Sequence, residues 1–163
     1  MIVISDTSPI SNLIDLEHLG LLKSLFGKVI IPFAVDLELL QVQDEQFFLT
    51  YQAALNDGWI EVKKVTNTQN VQHLTGALDH GEAEAIVLAI ELNADRLLID
   101  ERAGYQIAKQ TNLKPIGLLG VLIVAKNNGL IQSVRPLLDQ LRNQIGFWVS
   151  DSVYHRVLQI VGE

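Results

Sequence analysis

Apolar residues along the 163-residue chain fall into two patterns that take turns. Short unbroken runs, Ile2-Val3-Ile4, Val29-Ile30-Ile31 and Leu97-Leu98-Ile99, read as strands buried on both faces, over 2–5, 29–31 and 96–99. Residues 59–65 alternate and predict an edge strand. Between these runs the spacing turns helical. Leu13, Leu16, Leu19 and Leu22 recur every third residue, predicting one or two short helices broken near Gly20. Pro32 is suited to the first turn of the following helix. Further helices are predicted over 45–56, closed by Gly58, and over 68–78, stopping near Asp79-His80-Gly81. The stretch EAEAIVLAIEL at 82–92 is apolar around most of its circumference, as a central helix would be. Helical patterns continue over 102–112, 117–128, 133–144 and 151–160, with the apolar piece Phe147-Trp148-Val149 between the last two. Alternating β and α segments predict a parallel α/β sheet, and the length suits a single domain over 1–163.

Composition narrows the function classes. With 48% hydrophobic and 19% charged residues the chain is globular, and charges or glycines interrupt every apolar stretch before membrane-spanning length. Met1 leads straight into a strand-like run with no basic segment, so no secretory signal is expected. The absence of cysteine removes disulfides and thiolate metal sites, and the expected location is cytoplasmic. A net charge of −7 argues against a general nucleic-acid binder, yet its distribution is uneven. Residues 1–62 hold nine acids and two bases, whereas 102–163 hold three acids and seven bases. A basic face beside an acidic pocket is compatible with this, as is ordinary scatter.

Four acids stand out by position. Asp6 follows the first strand directly and Asp100 follows the strand at 96–99. The carboxyl ends of strands in open α/β sheets converge on one crevice, so these two can meet across 94 positions of sequence. Glu38 lies two helical turns beyond the second strand, in IPFAVDLELL, and Glu82 opens the apolar helix. Glu82 shares its helix face with Ala85, Ile86 and Ala89, whereas Glu84 faces Leu88 and Glu91, so Glu82 is the better inward candidate. Glu38 aligns with Ala34 and Val35 and is preferred to Asp36. Convergent carboxylates repel one another unless a cation neutralises them. Oxygen-only sites suit Mg²⁺ or Mn²⁺, which acidify water and support in-line displacement at phosphorus. The plainer reading is that Glu38 and Glu82 favour helix N-terminal turns and that Asp100 caps the next helix.

Five stretches in order resemble the PIN-domain nucleases, and among them the VapC-type toxin branch: DTSPISNL at 6–13, IPFAVDLEL at 31–39, LDHGEAEAIVLA at 78–89, LLIDERAG at 97–104 and GFWVSDSVYHRVLQ at 146–159. That resemblance implies a three-layer α/β/α fold, a central parallel sheet flanked by helices, and metal-dependent endoribonuclease activity. It also implies Asp6, Glu38, Glu82 and Asp100 as ligands of Mg²⁺ or Mn²⁺, a metal-bound water as nucleophile, a cognate antitoxin and often a homodimer. Thr7, Ser8 and Asn12 lie in the first stretch, where they could orient Asp6 or a metal-bound water, or could simply start the helix. The fourth stretch departs from many relatives by reading Asp100-Glu101-Arg102, leaving open whether Glu101 replaces Asp100. Glu84 is likewise the alternative to Glu82. The rival function is a PIN-fold module that binds RNA or protein and cleaves poorly.

Other constellations add little. The four histidines form no pair at helical spacing, and no phosphate-binding loop or nucleophile elbow is present. His80 is read as a loop histidine near a helix start, and Gly117 and Gly120 as helix-packing positions. Arg102 and Lys109, seven apart on one predicted helix, could hold the RNA backbone or be solvated surface. Trp59, Trp148 and Tyr154 are read as core or interface packing, with base stacking the alternative.

Overall fold

The computed structural model describes residues 1–163. In chain order the elements are β1 (Val3–Ser5), α1 (Thr7–Asp15), α2 (Gly20–Phe26), β2 (Val29–Pro32), α3 (Phe33–Leu40), α4 (Glu45–Asn56), β3 (Ile60–Lys63), α5 (Thr68–Leu74) and α6 (His80–Glu91). There follow β4 (Arg96–Leu98), α7 (Arg102–Gln110), β5 (Pro115–Ile116), α8 (Leu118–Asn127), α9 (Arg135–Gln140), a π-helical turn (Leu141–Ile145) and α10 (Asp151–Val161). The five strands form one parallel sheet in the order β3-β2-β1-β4-β5.

The period-two alternation of strand side chains sorts the core into two layers. Val3, Val29, Ile31 and Leu98 face one way and pack with Ile10, Leu13, Leu22, Leu118, Val121 and Leu158. Ile4, Ile30, Leu97 and Ile99 face the other way and pack with Ala85, Ile86, Ala89 and Ala108. Helices thus cover both faces, giving the expected three-layer α/β/α arrangement. The apolar helix α6 is central, with eight residues from Gly81 to Ala89 buried.

Several boundaries differ from the sequence reading. The strand β5 was not anticipated, because two residues carry no period; its bonds to β4 (Leu97↔Pro115, Leu98↔Ile116) define it. Pro32 closes β2 and caps α3 from outside its first turn, instead of occupying that turn. The helix expected over 68–78 ends at Leu74. Residues 79–81 do not stop a helix but start α6: Asp79 accepts a 2.8 Å hydrogen bond from the Glu82 amide, the geometry of an N-cap. The pattern at 133–144 resolves into α9 and the π-helical turn. No helix is long and apolar enough to cross a membrane.

The Glu163 carboxylate ties α10 to the start of α9. It accepts from the Ser133 hydroxyl, the Val134 amide at 2.7 Å, the Arg135 amide at 3.1 Å and Lys126 Nζ at 3.4 Å. Burial pushes its pKa up, but these donors outweigh burial and hold it at about 2. Its contribution is therefore complete above the ordinary glutamate range and is lost as pH falls toward 2. Glu163→Gln should cost about 1–3 kcal/mol at pH 7 by thermal or urea unfolding, and the difference from the parent should shrink toward pH 2.

Candidate active site

The strand order places β1 between β2 and β4, with its exit at the point where successive connections turn to opposite sides. Asp6 is the residue that leaves β1. Its amide donates to the Leu98 carbonyl at 2.9 Å, which ties the ends of β1 and β4 together two residues before Asp100. The adjoining α1 begins at once, with Asp6 as its flanking residue and Pro9 in the first turn, where no amide is needed. The hydroxyls of that turn reach two acids from other segments. Thr7 Oγ1 donates to Glu38 Oε2 at 2.5 Å, and Ser8 Oγ donates to Asp100 Oδ2 at 3.1 Å. Asn12 Nδ2 in turn donates to Ser8 Oγ at 3.1 Å. Thr7 and Ser8 therefore both start the helix and hold carboxylates, combining the two readings that the sequence left open. Asp100 does not cap α7, as the plainer reading had it. Its Oδ1 accepts from the Leu118 amide at 2.7 Å, at the start of α8.

Burial separates the four acids. Ser5, Asp6 and Glu82 are the only buried polar or charged residues in the protein, with Asp6 4% and Glu82 5% exposed. A buried carboxylate ordinarily has a cationic partner. None of the five ion pairs in the protein involves Asp6, Glu38, Glu82 or Asp100. Burial, and then the charges of Asp79, Glu38 and Asp100, push the Asp6 carboxyl up to about 7 against the pull of the Thr7 amide. Burial, with the Asp79 carboxyl beside it and then Asp6 and Glu101, pushes Glu82 up to about 8. Burial also raises Asp100, and the Leu118 amide and Ser8 hydroxyl offset it in part. Electrostatically the acids form one group, although they come from four segments.

The alternatives to these acids have other work. Glu84 lies 3.2 Å from His80 across one helical turn, so His80 is the first residue of α6, not a loop residue. Asp36 accepts from the Tyr51 hydroxyl at 2.6 Å. Glu101 flanks α7 and shares the cleft of Asp100. Asp79 was missed. Its signal was present in Asp79-x-x-Glu82, the spacing of an acid that caps a helix three residues before a glutamate. Two helical glycines set how near the acids come. A methyl group at Gly81 would overlap Glu38 Oε1, and one at Gly104 would stand 3.0 Å from Glu82 Oε2.

The donor set is all oxygen, desolvated and without cationic partners, which fits a hard divalent cation. As they stand, no three Asp, Glu or His side chains are close enough together to form a ligand set. A Mg²⁺ ion held by one or two carboxylates and otherwise by water needs no such set. Asp6 and Glu82 are the residues with uncompensated charge to offer; Glu38 and Asp100 are engaged by hydroxyls at the rim.

A cleft of about 490 Å³ opens beside Asp100, lined by Ser8, Asn12, Glu101 and Arg102 on one side and by Ile145, Gly146, Phe147 and Trp148 on the other. Arg102 thus joins the acids. Lys109 is not part of this lining: it is exposed about 10 Å further along α7, with Nζ 5.9 Å from the Tyr105 ring centre. Trp59 is core, as expected, and Tyr154 donates to Asp139 at 2.6 Å. Trp148 is 83% exposed, so it is not core, and of the expected readings an interface position and base stacking stay open. Gly120 packs against the Ile116 side chain, as a packing glycine should, whereas Gly117 flanks α8 with its α-carbon turned toward Asp100 Oδ1.

Comparison with known proteins agrees with this geometry. Neither curated proteins nor solved structures gave a match. A family model described as PIN domain matches residues 2–163, almost the whole chain. With its parallel sheet, its flanking helices and acids gathered at the carboxyl ends of β1 and β4, the chain belongs to the PIN-domain family.

Proposed function

We propose that this protein is a Mg²⁺- or Mn²⁺-dependent endoribonuclease, and that it is the toxin of a toxin–antitoxin pair. PIN domains are generally nucleases and typically use divalent metals, which gives the general class. One observation carries the finer reading. The only charged residues buried in the protein are two carboxylates, Asp6 and Glu82, and no cationic side chain is paired with either. Such a pair is costly unless it serves a positive ligand.

Asp6 and Glu82 would hold the cation from the end of β1 and the first turn of α6. Glu38 and Asp100 bound the same group, steadied by Thr7 and Ser8. When bound, the ion supplies an acidified water and neutralises charge developing at phosphorus. Asn12 holds the Ser8 hydroxyl and so sets the direction in which Asp100 presents its free lone pairs. Arg102, in the cleft beside Asp100, takes an RNA phosphate. The toxin role rests on the ordered stretches that resemble VapC-type proteins. It carries with it a cognate antitoxin as protein partner and a homodimer as the working form.

The purified chain should cleave single-stranded RNA with Mn²⁺ or Mg²⁺ and should stop on addition of EDTA. Asp6→Asn should reduce cleavage to background, and Ser8→Ala should reduce it about 10–100-fold by releasing Asp100 from its orientation beside the ion. Cleavage in EDTA, or a fully active Asp6→Asn, would refute the mechanism. Metal binding without cleavage would favour the binding-module alternative.

A stability measurement checks the buried acids separately. The folded chain binds protons at Asp6 and Glu82 more tightly than the unfolded chain, with values of about 7 and about 8 against ordinary 3.8 and 4.5. Metal-free stability should therefore fall as pH rises from about 4 to about 8. Added Mn²⁺ should restore it at pH 8. Asp6→Asn should stabilise the metal-free protein at pH 8, by on the order of 1–3 kcal/mol, and should weaken the response to Mn²⁺.

A further inference from the structure

Trp148 is the most exposed large apolar side chain in the protein, at 83%. Its neighbours are held down: Phe147 packs against the larger core layer and Val149 is 6% exposed. The chain enters this segment through the π-helical turn and Gly146, whose φ of 84° reverses its direction. The amides of Gly146 and Phe147 both donate to the Leu141 carbonyl, at 3.0 and 2.9 Å. Trp148 is thus a bare indole on an anchored backbone, between two inward residues. Such an arrangement loses little conformational freedom when something stacks on it.

Its position says what that something is. Trp148 lines the same cleft as Ser8, Asn12, Asp100, Glu101 and Arg102, so an aromatic face shares it with two carboxylates, one of them a site acid, and an arginine. No other residue of the cleft is an exposed large apolar side chain, and a protein interface would need an apolar patch instead of one ring. A second hollow of about 320 Å³ adjoins the cleft, where Arg142 is paired with Asp151 at 2.6 Å and lies over the Tyr154 ring. Residues 102–163 hold seven bases and three acids. One aromatic face beside the unpaired Arg102 matches a single strand of nucleic acid, in which bases alternate with phosphates.

We propose that Trp148 is the stacking platform for an RNA base next to the phosphate being cleaved, with Arg102 on the adjoining phosphate. This rests on the endoribonuclease reading for its substrate. Trp148 sets affinity at that position, and it takes no part in the chemistry.

The full-length chain, Trp148→Ala and Trp148→Phe are compared with a mixed-sequence single-stranded oligoribonucleotide as probe. In EDTA, RNA should quench tryptophan fluorescence, and since Trp59 is only 9% exposed the signal reports Trp148. Trp148→Phe should lose the quenching and keep most of the affinity, whereas Trp148→Ala should bind about 5- to 100-fold more weakly, the worth of one stacked base. With Mn²⁺, KM should rise in Trp148→Ala while kcat changes much less. Unchanged affinity and KM in Trp148→Ala would overturn the proposal, even with the nuclease fully active. A Trp148→Ala that only dissociates a dimer in sedimentation, with RNA binding intact, would overturn it in favour of a protein contact. If the parent chain binds RNA with quenching yet never cleaves it, the nuclease reading fails and the stacking assignment stands.

Discussion

Two carboxylates removed from water without a cation to meet them set the terms for the rest of this protein. Desolvating one unpaired charge costs several kcal/mol, and a domain of this kind has about 5–15 kcal/mol of stability in all. Asp6 and Glu82 are nonetheless among the most thoroughly covered residues in the chain. The metal-free fold accommodates them by letting them keep protons at pH values where exposed acids are ionised. Everything around them limits the damage without cancelling it.

That containment is built from helix starts. Asp6 flanks the first turn of α1, Glu82 lies in the first turn of α6, and Asp100 receives the leading amide of α8. Helix N-termini carry partial positive charge and unpaired amides, so each acid sits where the backbone favours negative charge. The strand order makes the convergence possible. A central β1 with β2 on one side and β4 on the other brings the connections after all three strands to one edge, and the bond from the Asp6 amide to Leu98 fixes the junction. The site is thus a property of topology first and of side chains second.

Much of this was legible in the chain. Unbroken runs such as Val29-Ile30-Ile31 mark strands covered on both faces, and an acid at the end of such a run has few peaceful explanations. Helix phase separated Glu82 from Glu84 correctly, because alanines at three and seven positions on define a face that another backbone can approach closely. What escaped was information that local pattern does not hold. Pro115–Ile116 is a strand only because β4 lies beside it. Asp79 was passed over because Asp-His-Gly resembles a turn, and its capping role appears only with Glu82 counted three residues on. Trp148 stayed between packing and base stacking because Phe-Trp-Val has the apolarity of a core run. Its exposure follows from Phe147 and Val149 both turning inward.

Gly81 and Gly104 have a consequence for anyone wishing to make this protein sturdier. Glycine within a helix costs about 1 kcal/mol relative to alanine, and both positions have φ values that any residue accepts, so a stabilisation campaign would replace them early. At Gly81 an added methyl would meet only the tip of Glu38, which can swing aside at little cost to the fold, whereas at Gly104 it would first strike the buried Ile99 side chain, which cannot. A Gly81→Ala protein would melt later and still present every acid in its sequence, yet Glu38 would no longer point where it did. Selection for robustness and selection for activity thus pull in opposite directions at one hydrogen atom, on Gly81.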